Sequence, residues 1–367
     1  MRIRLSSVIT GALALAIAAP ALLSVKPDIL VEATKITLRS PVAQILAFRG
    51  WIAAGLALLA LFFLVMGLIR KTLLNRGRIA LTLAFALFVA SLGHIGIMAW
   101  RGLAPNTAVE AKSAGDITVL EYNTAGGSVP MEEIATLIAD SQANVVALPE
   151  TSTQNGEKLV SLLASNGLDF QLFTNGRSVY DSEYSSTVLL VSTSFGTYVA
   201  DDSFIDSEKT IHGVMAKPAD NTGPTFVAVH PVAPSQAFLR SWRVDMFEAY
   251  STCATYENVI MAGDFNSTAD HEAALHLGVQ CADAGEQAQV GGLGTWPSNL
   301  PGFFAAPIDR VLTNGQYQGV SAEIVNVGES DHRGIIVRLE PLLPKCSSGG
   351  PNSVACAKNS HNEEKKP

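Results

Sequence analysis

Five places in this chain end an apolar run in a polar tip. Residues 260–266, Ile-Met-Ala-Gly-Asp-Phe-Asn, are the most telling: a strand closes in a glycine turn that presents Asp264 and Asn266. The same construction recurs at Asn123, at Glu150, at His230 and at Asp331-His332. Polar tips at strand ends are where open α/β architectures build their chemistry. Carboxylates, amides and imidazoles gathered in one place can hold a hard divalent cation, deprotonate water and stabilise charge on phosphorus. The pattern points to metal-assisted hydrolysis of a phosphoester.

The elements that must position these tips alternate along residues 116–341. Strands are expected at Ile117–Tyr122 and Val145–Leu148, with a helix at Met131–Ser141 whose apolar face carries Ile134, Leu137 and Ile138. Helix Glu157–Asn166 leads to β segments near Phe170–Phe173, Thr187–Val191, Gly213–Ala216 and Thr225–Val229. A longer helix, about Ser235–Thr255, places Phe238, Trp242, Met246 and Phe247 on one face. Strands Val259–Ala262, Ile308–Leu312, Ala322–Val325 and Gly334–Leu339 follow. Many β runs broken by few helices predict a four-layer α/β sandwich, two packed mixed sheets flanked by helices.

Residues 1–101 differ in composition. Three apolar stretches, about 5–25, 51–69 and 79–100, each have roughly the 20 residues that span a hydrocarbon core about 30 Å thick. None shows the polar face that a helix on a soluble protein needs. They predict an anchor of three transmembrane helices. Basic residues at Arg2 and Arg4, and at Arg70, Lys71, Arg76 and Arg78, assign those ends to the cytoplasm and the domain after Arg101 to the outside. Ala19-Pro20-Ala21 offers a signal-peptide cleavage site, but the long apolar run favours an uncut helix. The expected location is the cell membrane, multi-pass, with an extracytoplasmic domain. Residues 102–115 read as a linker and 342–367 as a disordered tail.

Cysteine and charge usage fit that placement. All four cysteines follow residue 101, so disulfides are expected, Cys253–Cys281 with Cys346–Cys356 being the simplest pairing. No C-x-x-C spacing supports zinc. Residues 1–101 hold 11 Lys/Arg and 2 Asp/Glu, leaving 14 basic and 31 acidic residues in the remainder, a net of −17. A nucleic-acid binder normally presents a basic stripe. Long nucleic acid is therefore disfavoured as a partner, and no protein partner is inferred.

The ordered segments L-E-Y-N, A-L-P-E-T, A-V-H-P-V-A-P-S, G-D-F-N-S, P-I-D-R-V-L and S-D-H-R resemble the endonuclease/exonuclease/phosphatase superfamily across about Asp116–Glu340. Gly294-Thr295-Trp296-Pro297 is similar to its membrane-bound bacterial branch. The resemblance implies that Glu150, Asp331 and Asn123 form the metal site, with Mg²⁺ the expected ion and Mn²⁺ a substitute. It implies that Asp264 accepts a proton from water and that Asn266 orients water and phosphate. His332 contacts the phosphate, Asp309 holds its other ring nitrogen, and His230 stabilises the leaving oxygen. Relatives commonly carry a second Asp or Asn where Ala125 stands, so one ion is expected rather than two. Pro149 replaces a common glutamine without consequence for Glu150.

Other positions receive plainer readings. His94 lies in the third apolar helix, facing a neighbouring helix or near an interface; His212, His271, His276 and His361 have no motif around them, Trp296 packs at the cleft floor or rim, and Arg177 and Tyr184 are candidates to line the cleft. The expected function is a membrane-anchored, Mg²⁺-dependent phosphoesterase acting on a lipid headgroup or small organic phosphate. Nuclease action is the alternative, and an inactive binding protein on this fold is the rival of another class.

Overall fold

The computed structural model describes residues 5–27, 35–107, 112–113, 115–175, 182–201, 211–277 and 281–342. The expected Cys346–Cys356 pair, the tail after Leu342, Arg177 and His361 lie outside them. Twelve strands form two six-stranded sheets among these residues. One sheet holds β1 (Ile117–Glu121), β2 (Val145–Pro149), β3 (Phe170–Thr174), β4 (Thr187–Ser192), β11 (Tyr317–Val325) and β12 (Gly334–Pro341), in the order β11-β12-β1-β2-β4-β3. The other holds β5 (Tyr198–Ala200), β6 (Val214–Pro218), β7 (Thr225–Val229), β8 (Val259–Asp264), β9 (Ala282–Asp283) and β10 (Asp309–Thr313), in the order β5-β6-β7-β8-β10-β9. Both are mixed: β1–β2 and β7–β8 are parallel, and the remaining pairs are antiparallel.

Period-two alternation sorts side chains between layers. Val119, Val145, Ala147, Leu189 and Val191 face Phe226, Ala228, Ile260, Ala262 and Val311 in the core between the sheets. Their neighbours Leu120, Val146, Leu148, Val188 and Leu190 turn outward, under helices Met131–Ser141 and Thr153–Ser165. On the far side, Met215, Val227, Val259 and Met261 pack beneath helix Leu239–Thr255 through Trp242, Met246, Ala249 and Tyr250. The result is the expected α/β/β/α layering. One detail departs from expectation: Phe238 and Phe247 are exposed, because the buried stripe of that helix runs through Trp242, Met246 and Ala249. A disulfide joins Cys253, on this helix, to Cys281 before β9.

Before the sandwich come α1 (Leu5–Val25), α2 (Val42–Leu46), α3 (Arg49–Leu74) and α4 (Arg78–Arg101). Among the described residues two helices, α3 and α4, are long and apolar enough to cross a membrane. This corrects the expected three spans. The multi-pass membrane placement, the extracytoplasmic domain and the bilayer as partner through three helices are withdrawn.

These helices instead dock on the sandwich. Gly50, on the first turn of α3, lies so close to Phe303 that a Cβ there would fall 1.9 Å from its carbonyl oxygen. Trp51 packs on Phe304 and Phe48 on Trp296, with ring centroids 4.7 and 6.1 Å apart. Gly292 donates its amide to the Gly102 carbonyl at 2.8 Å. The expected linker begins as ordered structure: Asn106 bridges Glu323 and the Thr107 amide donates to Ala322.

Cross-linking Cys253 and Cys281 closes a loop of 28 residues. Replacing both by serine should therefore cost about 3 kcal/mol of stability, checked by thermal unfolding of both proteins with and without reductant.

Candidate active site

Strand direction brings the polar tips together. Asn123 and Glu150 follow the parallel pair β1–β2, while His230 and Asp264 stand at the ends of the parallel pair β7–β8. Strands β10 and β12 run the other way and begin where those strands end, so Asp309 and Asp331-His332 enter at the same edge. Asp309 is the direct cross-strand partner of Asp264. Gly263 makes the close approach of β7 and β8 feasible: a Cβ there would meet the Val229 carbonyl oxygen at 2.0 Å.

A single amide joins the two carboxylates. Asn123 Nδ2 donates to Glu150 Oε1 at 3.2 Å and to Asp264 Oδ2 at 3.1 Å, while its Oδ1 accepts the Ala125 amide at 2.9 Å. Two imidazoles close the pocket. His230 Nε2 lies 3.7 Å from Glu150 Oε1 and 3.8 Å from Asp264 Oδ2. His332 Nε2 lies 3.7 Å from Asp264 Oδ2, and its Nδ1 bonds both Asp309 oxygens at 3.0 and 2.9 Å. One ligand atom each from Asp264, Asp309 and His332 falls within 4.8 Å of the others, a candidate metal cluster.

The turn after β8 is tighter than an extended segment. Asn266 has φ 47° and donates its amide to Asp264 Oδ1 at 2.8 Å, so the pair forms an Asx turn. Asn266 Nδ2 donates to the Pro231 carbonyl at 2.9 Å. Glu150 (φ 55°) and Ala125 (φ 49°) also occupy the left-handed region, which non-glycine residues hold only where the surroundings fix them. Asp331 stands at the mouth, accepts the Trp296 indole N–H at 2.9 Å and keeps Oδ1 4.0 Å from His332 Nε2. Trp296 is thus a rim residue. Tyr184 is largely exposed over Gly126.

Buried negative charge dominates the electrostatics. Burial and the neighbouring Asp309 push Asp264 up to about 7, against the pull of His332 and the Asn266 and Asn123 hydrogen bonds. Burial also raises Glu150, although its Asn123 bond and His332 act the other way. His332 is held up at about 10: burial opposes its charge, but Asp309 and Asp264 outweigh it. His230 drops to about 3 through burial and its histidine neighbours His212 and His332, so it is neutral. Its Nδ1 is buried without a hydrogen-bond partner among the described residues. Carboxylates this poorly compensated fit a site for a divalent cation, which supplies the missing positive charge.

Residues 120–332 match the Endonuclease/Exonuclease/phosphatase family. The chain belongs to that family. Family, fold and the Asp264–Asp309–His332 cluster make it a metal-dependent phosphoric ester hydrolase, and the inactive binding protein is set aside. Among solved structures, a humanized TDP2 of D. rerio is 14% identical with a TM-score of 0.49, the match covering 62% of this chain and 100% of that one. D. rerio TDP2 complexed with single strand DNA product is 16% identical (TM-score 0.47, 61% and 99% covered). A family member from Bacteroides vulgatus is 18% identical (TM-score 0.46, 63% and 100% covered). No curated protein matches the chain.

The expectation that long nucleic acid is disfavoured is withdrawn, since it rested on a charge count alone. Net charge was a poor guide for a physical reason. Asp270, Glu272, Asp283 and Glu286 are engaged by Arg49, Arg101 and Arg310 inside the fold, not spread over a repelling surface.

Some members of the site carried no role in the sequence reading. Ser330 Oγ donates to the Asn123 carbonyl at 2.7 Å and accepts the His332 amide at 3.0 Å, tying two motifs together. The Asp309 amide donates to Thr295 Oγ1 at 3.3 Å. Glu121, fully buried beneath the site, is pushed well up by burial, Asp309 and Asp264. His212 donates its amide to the His230 carbonyl and places its ring 6.1 Å from that of His230. Ser330 and Glu121 lay inside quoted motifs; nothing in the sequence marked His212.

Because the folded protein raises the His332 pKa, this histidine's contribution to stability is complete below its ordinary value and is lost as pH rises through about 10. Asp309→Asn should bring that titration back towards neutral pH. Histidine ring resonances followed against pH in the metal-free protein provide the check.

Proposed function

We propose that this chain is a phosphodiesterase using Mg²⁺, or Mn²⁺ in its place, to hydrolyse a phosphodiester by direct attack of water. One observation carries the reading: the Asn123 amide holds the Glu150 and Asp264 carboxylates together, with both imidazoles within 4 Å of Asp264. Glu150, Asp331 and Asn123 would hold the ion beside the Asp264–Asp309–His332 cluster, whose members keep the proton-handling roles. A bound divalent ion neutralises charge on the phosphoryl oxygens and makes nearby water more acidic. Asp264, with its raised pKa, takes the proton from the attacking water. His332, kept charged by Asp309, donates to a phosphoryl oxygen as charge builds there. His230 stays neutral and is assigned to the leaving oxygen, while Asn266 shapes the turn that presents Asp264.

Nuclease action is the reading to test first. Trp296 stands at the mouth, where an indole can stack a base. Hydrolysis of a lipid headgroup or small organic phosphate is the second reading, supported by the exposed apolar face that begins at Trp51 and continues through Leu58 and Phe62 beside the same loop.

The full chain should hydrolyse bis-p-nitrophenyl phosphate with Mg²⁺ or Mn²⁺ and lose that activity to chelator. Asp264→Ala and His332→Ala should each lose roughly 10²–10⁴-fold in kcat. Equal residual turnover in wild type and both variants would remove the assignment. Single-stranded DNA, phospholipids and glycerophosphodiesters, compared by kcat/KM, separate the two substrate readings.

A further inference from the structure

The turn that presents Asp264 and Asn266 runs directly into the short helix Ala269–Ala273, whose first turn carries Asp270. That carboxylate is buried and accepts four charge-assisted hydrogen bonds, none from its own sandwich. Arg49 gives two from the start of α3, Nε and Nη2 each at 2.7 Å. Arg101 gives two from the end of α4, Nη1 at 3.0 Å and Nη2 at 2.9 Å. A planar guanidinium matches a carboxylate with both oxygens at once, so two of them fix its position and its orientation.

The arginines are themselves held. Arg49 Nη1 lies 2.9 Å from His94 Nδ1, and His94 Nε2 lies 3.0 Å from Ser24 Oγ, which ties α1 into the array. Arg101 Nε also pairs with Glu286 at 3.1 Å. The next residue of the turn is reached from the same side. His271 accepts the Thr268 amide on Nδ1 and donates from Nε2 to the Ala43 carbonyl in α2, both at 3.0 Å. Trp242 contacts the His271 ring and donates its indole N–H to the Asn266 carbonyl at 2.9 Å.

We infer that the N-terminal helices are a working part of the catalytic centre, in which Arg49 and Arg101 act as positioning residues by clamping Asp270 and so setting the Asp264–Asn266 turn. The inference rests on the hydrolase reading for its kinetic consequence. Asp270 stands six residues after Asp264, and the intervening segment is bonded at Asn266, Ser267 and Thr268. Release of the clamp is therefore transmitted to the carboxylate that accepts the proton. The side-chain partners of Arg49 and Arg101 are Asp270, His94 and Glu286, not Glu150, Asp264 or His332, so the effect is expected on the chemical step.

The test uses the full chain and bis-p-nitrophenyl phosphate. Asp270→Asn and Arg49→Met should lower kcat by roughly ten- to a hundredfold, as a misplacement of about 1 Å does, with KM and the metal concentration for half-maximal activity nearly unchanged. Arg49→Lys, which keeps the charge but not the fork, should fall between wild type and Arg49→Met. Ser91→Ala removes a 2.8 Å hydrogen bond to the Ala53 carbonyl between α3 and α4; it should lower Tm without lowering kcat. Loss of kcat in all these variants in proportion to Tm would reduce the clamp to ordinary stability and overturn the inference, as would wild-type kcat in Asp270→Asn.

A second readout does not need turnover. The Trp242 indole N–H resonance, assigned with Trp242→Phe, should shift in Asp270→Asn and Arg49→Met and stay in place in Ser91→Ala. An inactive wild type would sink the hydrolase reading, while an unmoved resonance would sink the clamp. If Asp270→Asn does not fold, Arg49→Lys and Arg101→Lys decide the matter by the same two measurements.

Discussion

Two carboxylates facing each other across one antiparallel strand pair set the terms for everything around them. Asp264 and Asp309 are register partners on β8 and β10, and both are buried. Charges so placed cannot be left uncompensated in a low-dielectric interior. The fold answers with an imidazolium, His332, bound through Nδ1 to Asp309 and turned through Nε2 towards Asp264. It answers further with the Asn123 amide and with a pocket suited to a divalent ion. Acid–base capacity and metal affinity are thus two results of one electrostatic arrangement.

The layers around this pair explain how separate stretches of sequence reach it. Parallel pairing carries β1 with β2, and β7 with β8, to a common edge; antiparallel pairing starts β10 and β12 from that edge. Ser330 then stitches the last motif to the first through the Asn123 carbonyl. The rim is built differently. Arg333 Nη1 donates to the carbonyl of Gly294 at 3.0 Å, and Trp296 meets Asp331, so the loop beside the mouth is fixed by backbone carbonyls and one indole.

Much of this could be read from residue order. Alternation along Val119, Val145, Leu189 and their neighbours gives sheets with two faces, and a polar residue after each apolar run marks the reactive edge. What stayed hidden lies in contacts that have no sequence period. Arg49 and Asp270 are 221 positions apart, and a basic residue flanking an apolar helix looks the same whether it meets lipid headgroups or a buried carboxylate. That ambiguity hid the contacts by which the helical section meets the sandwich. It also hid that Asp270, Glu272, Asp283 and Glu286 are paired with arginines inside the fold. His212 escaped notice for a related reason, since a ring brought beside His230 by strand pairing leaves no local trace.

Strand β10 carries opposite charges on adjacent residues, and its two faces demand them. Asp309 turns towards His332, whereas Arg310 points away into a cage of Asp283 (2.8 Å), Glu272 (3.0 Å) and the Tyr250 hydroxyl (2.7 Å). Sliding this strand by one residue would exchange the two, forcing a guanidinium beside His332 and a carboxylate into an acidic cage. Mispairing is thereby penalised on both sides at once. The edge of the sheet that carries the candidate site is also where this strand is held against a wrong alignment.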